Sequence, residues 1–251
     1  MVISCTPALL YHLQKPWDKT QARVIMLPMQ DTVAAIILAA GTSSRMGPNR
    51  HKLLLPLGQH PVLLHVIEAA LASQARPIIV VVGHQAPQVR SILDPYQHHP
   101  DMLVVENTDY QQGMSTSLHT GIRTLLSYNI DNNTTPINAS PIRPVATLIA
   151  LGDQPLISAE LLNRLIETYM TDEKKIVAPR YQGRRGNPVL FDARFFPELM
   201  EVSGDEGGRS VIQRHSQDVS TIEVDNIKVG YDVDTWETYQ QVAREWEQGN
   251  G

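Results

Sequence analysis

The sequence predicts an α/β domain built on a mainly parallel sheet. Short apolar runs alternate with helix-forming segments along most of its 251 residues, as they do in successive strand–helix–strand units. One run, residues 77–82, consists almost entirely of Ile and Val, which is typical of a strand buried on both faces of a parallel sheet. The length suits one sizeable α/β domain or two small ones. Because we find no internal repeat and no domain boundary, we expect a single domain over residues 32–251.

The predicted elements begin at residue 33. Apolar, largely β-branched runs predict strands at residues 33–38, 77–82, 102–106 and 145–151, with a further strand starting at residue 176. Apolar residues at helical spacing predict a helix at residues 62–73. Further helices are predicted at residues 85–93, 114–126, from a cap at Ser158 to residue 169, and at 235–245.

Two segments interrupt this alternation. Residues 1–31 show no clean periodicity and contain three prolines, so we expect a poorly structured N-terminal extension. Residues 127–144 are polar and punctuated by proline, which predicts a surface insertion between a helix and the next strand. The region around residues 180–220 is expected to face the substrate without forming a separate domain.

Composition argues against several classes of protein. The formal net charge of -5 and the pI near 6.0 disfavour nucleic-acid binding through a broad basic surface. Cys5 is the only cysteine, so a disulfide framework or a cysteine-based metal centre is not expected. The sequence has neither a long uninterrupted apolar run nor the pattern of a secretory signal in its first residues. We therefore expect a cytoplasmic enzyme without a membrane span.

A loop of small residues follows the first predicted strand. It runs from Ala39 to Gly47, contains Arg45, and is followed by Lys52. Backbone amides that converge on one point, together with two cations, suit a polyphosphate. The loop is not a P-loop, because proline and not Lys-Ser/Thr follows Gly47. It also lacks the dinucleotide fingerprint, which needs glycine where Ser43 stands, so we predict a nucleotide loop of a third kind.

Two aspartates are candidate ligands of Mg²⁺. Asp153 directly follows the strand predicted at 145–151, where open α/β sheets bind ligands, and Mg²⁺ favours one or two carboxylates completed by water and phosphate oxygens. Asp153 could instead close a turn after that strand. Asp234 is the second candidate, although its spacing to Glu237 is also typical of a capping box that starts a helix. Asp232 could take either role in its place.

The remaining candidates each have a structural alternative. Arg45 and Lys52 could neutralise charge on a triphosphate and its leaving pyrophosphate, whereas most surface cations are only solvated. Ser115, in a hydroxyl-rich helix start, could border a base or ribose, or lie among spare capping groups. Residues 183–191 are predicted to form a basic turn that runs into a strand, and the turn could bind a second anionic substrate or form a hairpin tip in solvent.

These motifs together resemble a known family. The stretch from Leu38 to Gly47, followed by Lys52-Leu53-Leu54-Leu55-Pro56, is similar to the signature loop of the nucleotidyltransferases related to molybdenum-cofactor biosynthesis. The motifs at residues 113–115, 152–155 and 185–189 resemble those of the molybdenum cofactor cytidylyltransferases, and residues 204–209 and 232–235 fit the same pattern. The resemblance extends from about residue 33 to the C-terminal helix.

The resemblance implies a Rossmann-like nucleotidyltransferase fold with three α/β/α layers. It also implies a reaction in which CMP is transferred from CTP to the molybdenum–molybdopterin cofactor, with release of pyrophosphate and with Mg²⁺ as the metal cofactor. A molybdoenzyme or its chaperone would receive the product. By the same resemblance, the paired Ala39 and Ala40 favour cytosine as the base.

The resemblance also implies roles for individual residues. Catalysis would involve Arg45, Lys52 and Asp153, and Mg²⁺ would be held by Asp153 and Asp234. The residues implied to bind the nucleotide are Leu38, Ala39, Ala40, Gly41, Arg45, Lys52, Ser115 and Asp153. Arg185 and Asn187 would face the pterin, although the family usually has histidine where Asn187 stands.

Other functions stay open at this point. GTP could replace CTP, or another small phosphorylated molecule could be the acceptor. A non-catalytic carrier or insertion chaperone would have no need to keep Arg45, Lys52, Asp153 and Asp234 together, which argues against that class. The missing second glycine disfavours a dinucleotide-dependent oxidoreductase.

Overall fold

The computed structural model describes residues 30–47, 50–128 and 142–249. These residues fold around one mixed β-sheet. In chain order, its strands and those of a small hairpin are β1 (Gln30–Ala39), β2 (Pro56–Leu57), β3 (His60–Pro61), β4 (Ile78–Val82), β5 (Met102–Glu106), β6 (Ile142–Leu151), β7 (Ile176–Tyr181), β8 (Arg184–Arg185), β9 (Val189–Asp192) and β10 (Val219–Val224). The α-helices are α1 (Val62–Ala72), α2 (Ala86–Leu93), α3 (Met114–Tyr128), α4 (Ala159–Thr171), α5 (Phe196–Leu199), α6 (Arg209–Arg214) and α7 (Trp236–Gly249).

The strand order of the main sheet is β10-β7-β9-β6-β1-β4-β5, and β8 pairs with β7. β1 is parallel to both β4 and β6, β4 is parallel to β5, and β7 is parallel to β10. β9 runs antiparallel to both of its neighbours, β6 and β7. The mainly parallel sheet predicted from the sequence is therefore confirmed, and the strand predicted after the basic turn is present as β9, with an antiparallel direction that the sequence did not predict.

Helices cover both faces of the sheet, which gives the three predicted layers. Along β1, Val33, Ala35 and Ile37 face a core that contains residues of α1, α2 and α4. Ala34 and Ile36 face a second core that contains residues of α3, α5 and α6. Because successive side chains of a strand point to opposite faces, a strand that is apolar throughout is stable only when both faces are covered.

A third apolar cluster attaches the C-terminal segment to the loop that follows β1. Met46 of that loop packs with Val233 and with Val242 of α7, and none of the three is more than 2% exposed. Tyr239 of α7 also donates its hydroxyl to the carbonyl oxygen of Pro56. The C-terminal segment is thus fixed against the loop that the sequence predicts to bind phosphate.

The predicted elements are present, with differences at their ends. Ser158 caps α4 as predicted, since its hydroxyl oxygen accepts a hydrogen bond from the amide of Leu161 at 3.2 Å. The ends of the predicted insertion, 127–144, belong to α3 and β6, and residues 129–141 lie outside the described part. β1 already begins at Gln30, and residues 1–29 of the predicted extension lie outside the described part. None of the described helices is long and apolar enough to cross a membrane.

Candidate functional site

The candidate site lies at the carboxyl ends of β1 and β6. These strands are parallel neighbours with Leu38 paired to Leu151, so the segments that follow them start side by side. The amide of Gly152 donates to the carbonyl oxygen of Leu38 at 2.9 Å. A Cβ at Gly152 would lie 2.9 Å from Leu63 Cδ1, so the absence of a side chain permits this close approach. Asp153 is thereby placed next to the loop that follows β1.

Ser43 fixes the shape of that loop. It adopts a left-handed conformation with φ of 56°, and its carbonyl oxygen accepts a hydrogen bond from the amide of Met46 at 3.0 Å. Its hydroxyl oxygen accepts a hydrogen bond from the amide of Lys52 at 3.1 Å. These bonds set the backbone positions from which the Arg45 and Lys52 side chains extend.

Four charged side chains meet beside the loop and form what we call the ion cluster. Lys52 Nζ donates to Asp153 Oδ2 and, at 2.6 Å, to Asp234 Oδ1. Arg45 Nη1 lies 3.1 Å from the other carboxylate oxygen of Asp234. The side chains of Lys52 and Asp153 are 14% and 11% exposed, whereas that of Arg45 is 72% exposed. The structure thus brings together the four residues that the sequence selected as phosphate and metal partners.

The partners of Lys52 keep its ammonium group charged. Burial alone would lower the pKa of Lys52, because a buried charge loses hydration. The charges and hydrogen bonds of Asp153 and Asp234 outweigh that effect, and they raise the pKa of Lys52 above its ordinary value. Lys52 therefore carries a full positive charge at neutral pH.

Asp232 lies beside the ion cluster but has different partners. Burial, and after it the charge of Asp153, raises the pKa of Asp232 to about 6. A hydrogen bond from Gln154 Nε2 to Asp232 Oδ1, 2.7 Å long, favours the charged form and limits this rise. The amide of Val233 donates to the carbonyl oxygen of Asp153 at 2.8 Å, which joins the two acidic segments. Asp232 thus bonds to a neutral amide, whereas both oxygens of Asp234 face cations.

The capping box predicted at Asp234 is wrong. Thr235 Oγ1 accepts a hydrogen bond from the amide of Thr238 at 3.2 Å. Thr238 Oγ1 in turn accepts from the amides of Asp234 and Thr235, at 3.1 and 3.0 Å. This threonine pair thus binds the amides of Asp234, Thr235 and Thr238 around the start of α7. The Asp234 carboxylate is therefore available to Lys52 and Arg45.

A cleft of about 690 Å³ includes the carboxylates and cations of the ion cluster in its wall, and this volume is typical of small-molecule sites. Its lining consists of residues 38–45, Lys52, Leu53, residues 110–114, Ser117, Leu151, Asp153, Gly204, Asp205, Arg209, Asp232 and Asp234. The predicted nucleotide-binding residues Leu38, Ala39, Ala40 and Gly41 all belong to this lining.

A smaller, mainly apolar cavity of about 70 Å³ adjoins the cleft. The two share Leu38, Met114, Leu151, Asp205 and Arg209. Asn187, predicted to face the second substrate, lines this smaller cavity. The cleft and the cavity therefore offer adjacent spaces of different polarity.

Two predicted site residues line neither the cleft nor the smaller cavity. Ser115 is buried at the start of α3, where its amide donates to the carbonyl oxygen of Gly204 at 2.9 Å, and Ser117 lines the cleft instead. Arg185 is exposed on β8, in the hairpin with β7. The roles implied for Ser115 and Arg185 stay predictions.

Residues 110–112, which were given no role from the sequence, also line the cleft, together with Gly113, Gly204, Asp205 and Arg209, which were matched only as parts of family motifs. Residues 110–113 follow β5, and their position after a parallel strand was the signal that could have identified them. Asp205 Oδ1 accepts a hydrogen bond from the amide of Met114 at 2.9 Å, which attaches the segment before α6 to the start of α3. Arg209, the first residue of α6, then lines both the cleft and the smaller cavity.

Comparison with known proteins identifies relatives along most of the chain. A family model described as a MobA-like NTP transferase domain matches residues 35–219. The purine catabolism protein PucB of Bacillus subtilis (strain 168) is 28% identical over 215 residues, which cover 83% of this chain and 95% of PucB. The bifunctional protein GlmU of Anaeromyxobacter sp. (strain K) is 31% identical over 189 residues, which cover 71% of this chain but only 34% of GlmU.

Solved structures agree with the family match. The crystal structure of Rv0371c from Mycobacterium tuberculosis H37Rv superimposes on this chain with a TM-score of 0.67 and 25% sequence identity. The match covers 86% of this chain and 100% of Rv0371c. A further structure of Rv0371c contains manganese and has a TM-score of 0.64, with 26% identity over 85% of this chain and 98% of that chain.

Proposed function

Since the chain belongs to the MobA-like NTP transferase family and is a nucleotidyltransferase, we propose that it transfers CMP from CTP to the molybdenum–molybdopterin cofactor and releases pyrophosphate. The observation that carries this proposal is the ion cluster of Arg45, Lys52, Asp153 and Asp234 beside a loop of small residues. Cations for a triphosphate and carboxylates for a divalent ion lie there in one cleft. The choice of CTP rests on the resemblance of the loop sequence to cytidylyltransferases.

In this proposal the triphosphate lies along the loop after β1. Ala39, Ala40 and Gly41 have small side chains or none, so the backbone amides can approach the phosphates closely. Arg45 offers a planar guanidinium that can bond two phosphate oxygens at once. Lys52 adds a point charge on a flexible stem.

Asp153 and Asp234 suit a Mg²⁺ ion by the chemistry of their donor set. Both carboxylates reach the same nitrogen of Lys52, so oxygens of the two groups surround one point in the cleft. Mg²⁺ is usually bound beside nucleotides by one or two carboxylates, with water and phosphate oxygens completing its shell. Mg²⁺ would neutralise charge on the phosphates when bound. The manganese in Rv0371c supports a divalent ion in this family.

The proposed reaction needs positioning and charge more than acid–base chemistry. A phosphate oxygen of the acceptor attacks the α-phosphorus of CTP, a new P–O bond forms, and the bond to the β-phosphate oxygen breaks to release pyrophosphate. The second pKa of a phosphate monoester is about 6, so the attacking group is largely ionised at neutral pH and needs no general base. Arg45 and Lys52 stabilise the charge that develops on the transferred and leaving groups.

The acceptor is proposed to bind between the cleft and the smaller cavity. Arg209 is exposed, lines both spaces, and has no ion-pair partner among the described residues, so its guanidinium is available to a substrate phosphate. Asn187 and the apolar lining of the smaller cavity would contact the ring system. Delivery of the product to a molybdoenzyme or its chaperone, and a cytoplasmic location, remain predictions.

We expect Arg209→Ala to raise the KM for the acceptor about 10- to 100-fold, because a hydrogen bond to a charged group contributes about 1.5–3 kcal/mol. The KM for CTP should change less than about twofold, since Arg45 and Lys52 hold the triphosphate. Steady-state kinetics with each substrate varied in turn measure both constants.

The matched control is Arg214→Ala, on the same helix. Arg214 is paired with Glu198 at 3.0 Å and does not line the cleft, so both KM values should stay at the wild-type level. An unchanged acceptor KM in Arg209→Ala would remove Arg209 from the acceptor site.

Pyrophosphate release tests the proposed function directly. The protein is incubated with Mg²⁺, the molybdenum–molybdopterin cofactor and each of the four nucleoside triphosphates in turn, and mass spectrometry identifies the product. We expect release with CTP at least about tenfold faster than with GTP. Faster release with GTP would indicate a guanylyltransferase. Release with CTP only when a different phosphorylated acceptor replaces the cofactor would identify another acceptor. No release with any nucleotide would favour a carrier.

A further inference from the structure

Lys52 already occupies the space between the two carboxylates that are proposed to hold Mg²⁺. Its Nζ bonds to Asp153 Oδ2 and Asp234 Oδ1 together, and its side chain is 14% exposed. A divalent ion and the ammonium group cannot both lie at the point where these oxygens converge, because each needs direct contact with the same oxygens. Lys52 must therefore move before Asp153 and Asp234 can share an ion.

We propose that Lys52 acts as an internal substitute for the metal, which keeps the free enzyme from binding a divalent cation until a triphosphate draws the lysine away. This inference rests on the metal role of Asp153 and Asp234 in the proposed function. It adds that nucleotide binding and metal binding strengthen each other, because both require the same displacement of Lys52.

The charges of the ion cluster support this coupling. The cations Arg45 and Lys52 balance the carboxylates Asp153 and Asp234, so the cluster is compensated without any ligand. Addition of a divalent ion alone would leave an excess of positive charge and expel Lys52 without offering it a partner. A triphosphate supplies that partner, and the four-carbon stem of Lys52 allows its nitrogen to change partners while the backbone stays fixed.

The backbone at Lys52 is held in place, so only the Lys52 side chain can leave the two carboxylates. The amide of Lys52 is bonded to Ser43 Oγ at 3.1 Å, and the loop is anchored through Met46, which is 2% exposed. Movement of Lys52 is therefore a rotation of its side chain. The ion pairs that it leaves are replaced by the metal on one side and by phosphate on the other.

Binding of Mn²⁺, measured by electron paramagnetic resonance on metal-free protein, tests the inference without any catalytic readout. In the absence of nucleotide, we expect Lys52→Ala to bind Mn²⁺ at least about tenfold more tightly than wild type, a difference of about 1.4 kcal/mol. Wild type should gain at least as much affinity when CTP is added without an acceptor. Lys52→Ala should gain clearly less from CTP than wild type does.

Three controls separate displacement from general electrostatics. Arg45→Ala removes a positive charge from Asp234 without emptying the space between the carboxylates, so it should change Mn²⁺ affinity much less than Lys52→Ala. Lys228→Ala breaks a lysine–carboxylate pair with Glu245, 2.6 Å long and outside the cleft lining, and should change nothing. In the double variant Lys52→Ala/Asp153→Asn, the gained Mn²⁺ affinity should disappear.

Folding of the variants is followed by thermal unfolding. Loss of Lys52 leaves the Asp153 carboxylate without its ion pair and Asp234 paired only with the exposed Arg45. Lys52→Ala should therefore melt at a lower temperature without metal, and Mn²⁺ should restore the melting temperature. Lys52→Gln, which can still hydrogen-bond but has no charge, serves as a second variant if Lys52→Ala does not fold.

Equal Mn²⁺ affinity of both Lys52 variants and wild type without nucleotide would overturn the inference, even if CTP is the substrate. Conversely, a gain of affinity in the Lys52 variants together with no pyrophosphate release from CTP would leave this inference standing and overturn the proposed reaction.

Discussion

Asp153→Asn is expected to lower kcat about 10³-fold, close to 4 kcal/mol of transition-state stabilisation, while the protein stays folded. Asparagine keeps the shape of the side chain and an oxygen that can accept from Lys52, but it removes one of the two carboxylates proposed to hold Mg²⁺. Single-turnover release of pyrophosphate measures the rate. The melting temperature should fall by less than about 5 °C, since about 1 kcal/mol shifts it by about 2–4 °C in a chain of this size.

The matched control for this prediction is Asp232→Asn, a neutral replacement of the neighbouring carboxylate. We expect a loss of kcat below about tenfold, because Asp232 bonds to the amide of Gln154 and not to the cations of the ion cluster. Equal losses in the two variants would indicate that Asp232 is the second metal ligand in place of Asp234. Activity of Asp153→Asn within about tenfold of wild type would remove Asp153 from the metal site.

The pKa of Asp232 gives this control a second readout. Asp232 titrates at about 6 in the folded protein but near 3.9 in an unfolded chain, so the folded state binds more protons between these values. Stability contributed by this group is therefore present at low pH and lost as pH rises through about 4 to 6. In metal-free protein, Asp232→Asn should melt higher than wild type at pH 7.5 and close to it at pH 4.

The central strands were predictable because their sequences permit only one environment. β4 is Ile-Ile-Val-Val-Val and lies with every residue buried, which is what an uninterrupted β-branched run requires. β9, Val189–Asp192, was predicted only as a strand that follows the basic turn. Its antiparallel direction could not be predicted, because a four-residue pattern does not encode which neighbours a strand pairs with. The first two residues of β1, Gln30 and Asp31, were not predicted as strand because they are exposed and polar and therefore give no apolar pattern.

Those residues of the candidate site that directly follow a parallel strand could be predicted from the sequence. Asp153 follows a parallel strand and comes to the ligand edge, as its place in the sequence indicated. The meeting of Lys52 with Asp234 joins residues 182 positions apart, and it depends on packing of the C-terminal segment against Met46. No local pattern encodes such a contact. The capping box at Asp234 was wrong because Thr238 Oγ1 accepts from the amide of Asp234, the group that the Glu237 side chain would bind in a capping box.

Arg45→Ala is expected to lower kcat about 10²- to 10³-fold, the usual effect of losing one charge-stabilising donor in a site of this kind. Its stability should stay within about 1 kcal/mol of wild type, because the Arg45 side chain is 72% exposed and exposed ion pairs contribute little to folding. Pyrophosphate release and thermal unfolding measure the two effects. Arg45→Lys should fall between wild type and Arg45→Ala, since it keeps the charge but loses the planar fork.

The matched control for Arg45 is Arg50→Ala, the nearest other arginine along the chain. The Arg50 guanidinium stacks on the ring of Trp236 at 4.2 Å and does not line the cleft, so its loss should change kcat less than about threefold. If Arg50→Ala were as damaging as Arg45→Ala, a general loss of positive charge near the loop would explain both, and Arg45 would have no specific role. If only Arg45→Ala is damaging and it stays folded, the effect belongs to the transition state, because the ion pair that Arg45 makes in the free enzyme contributes little to stability.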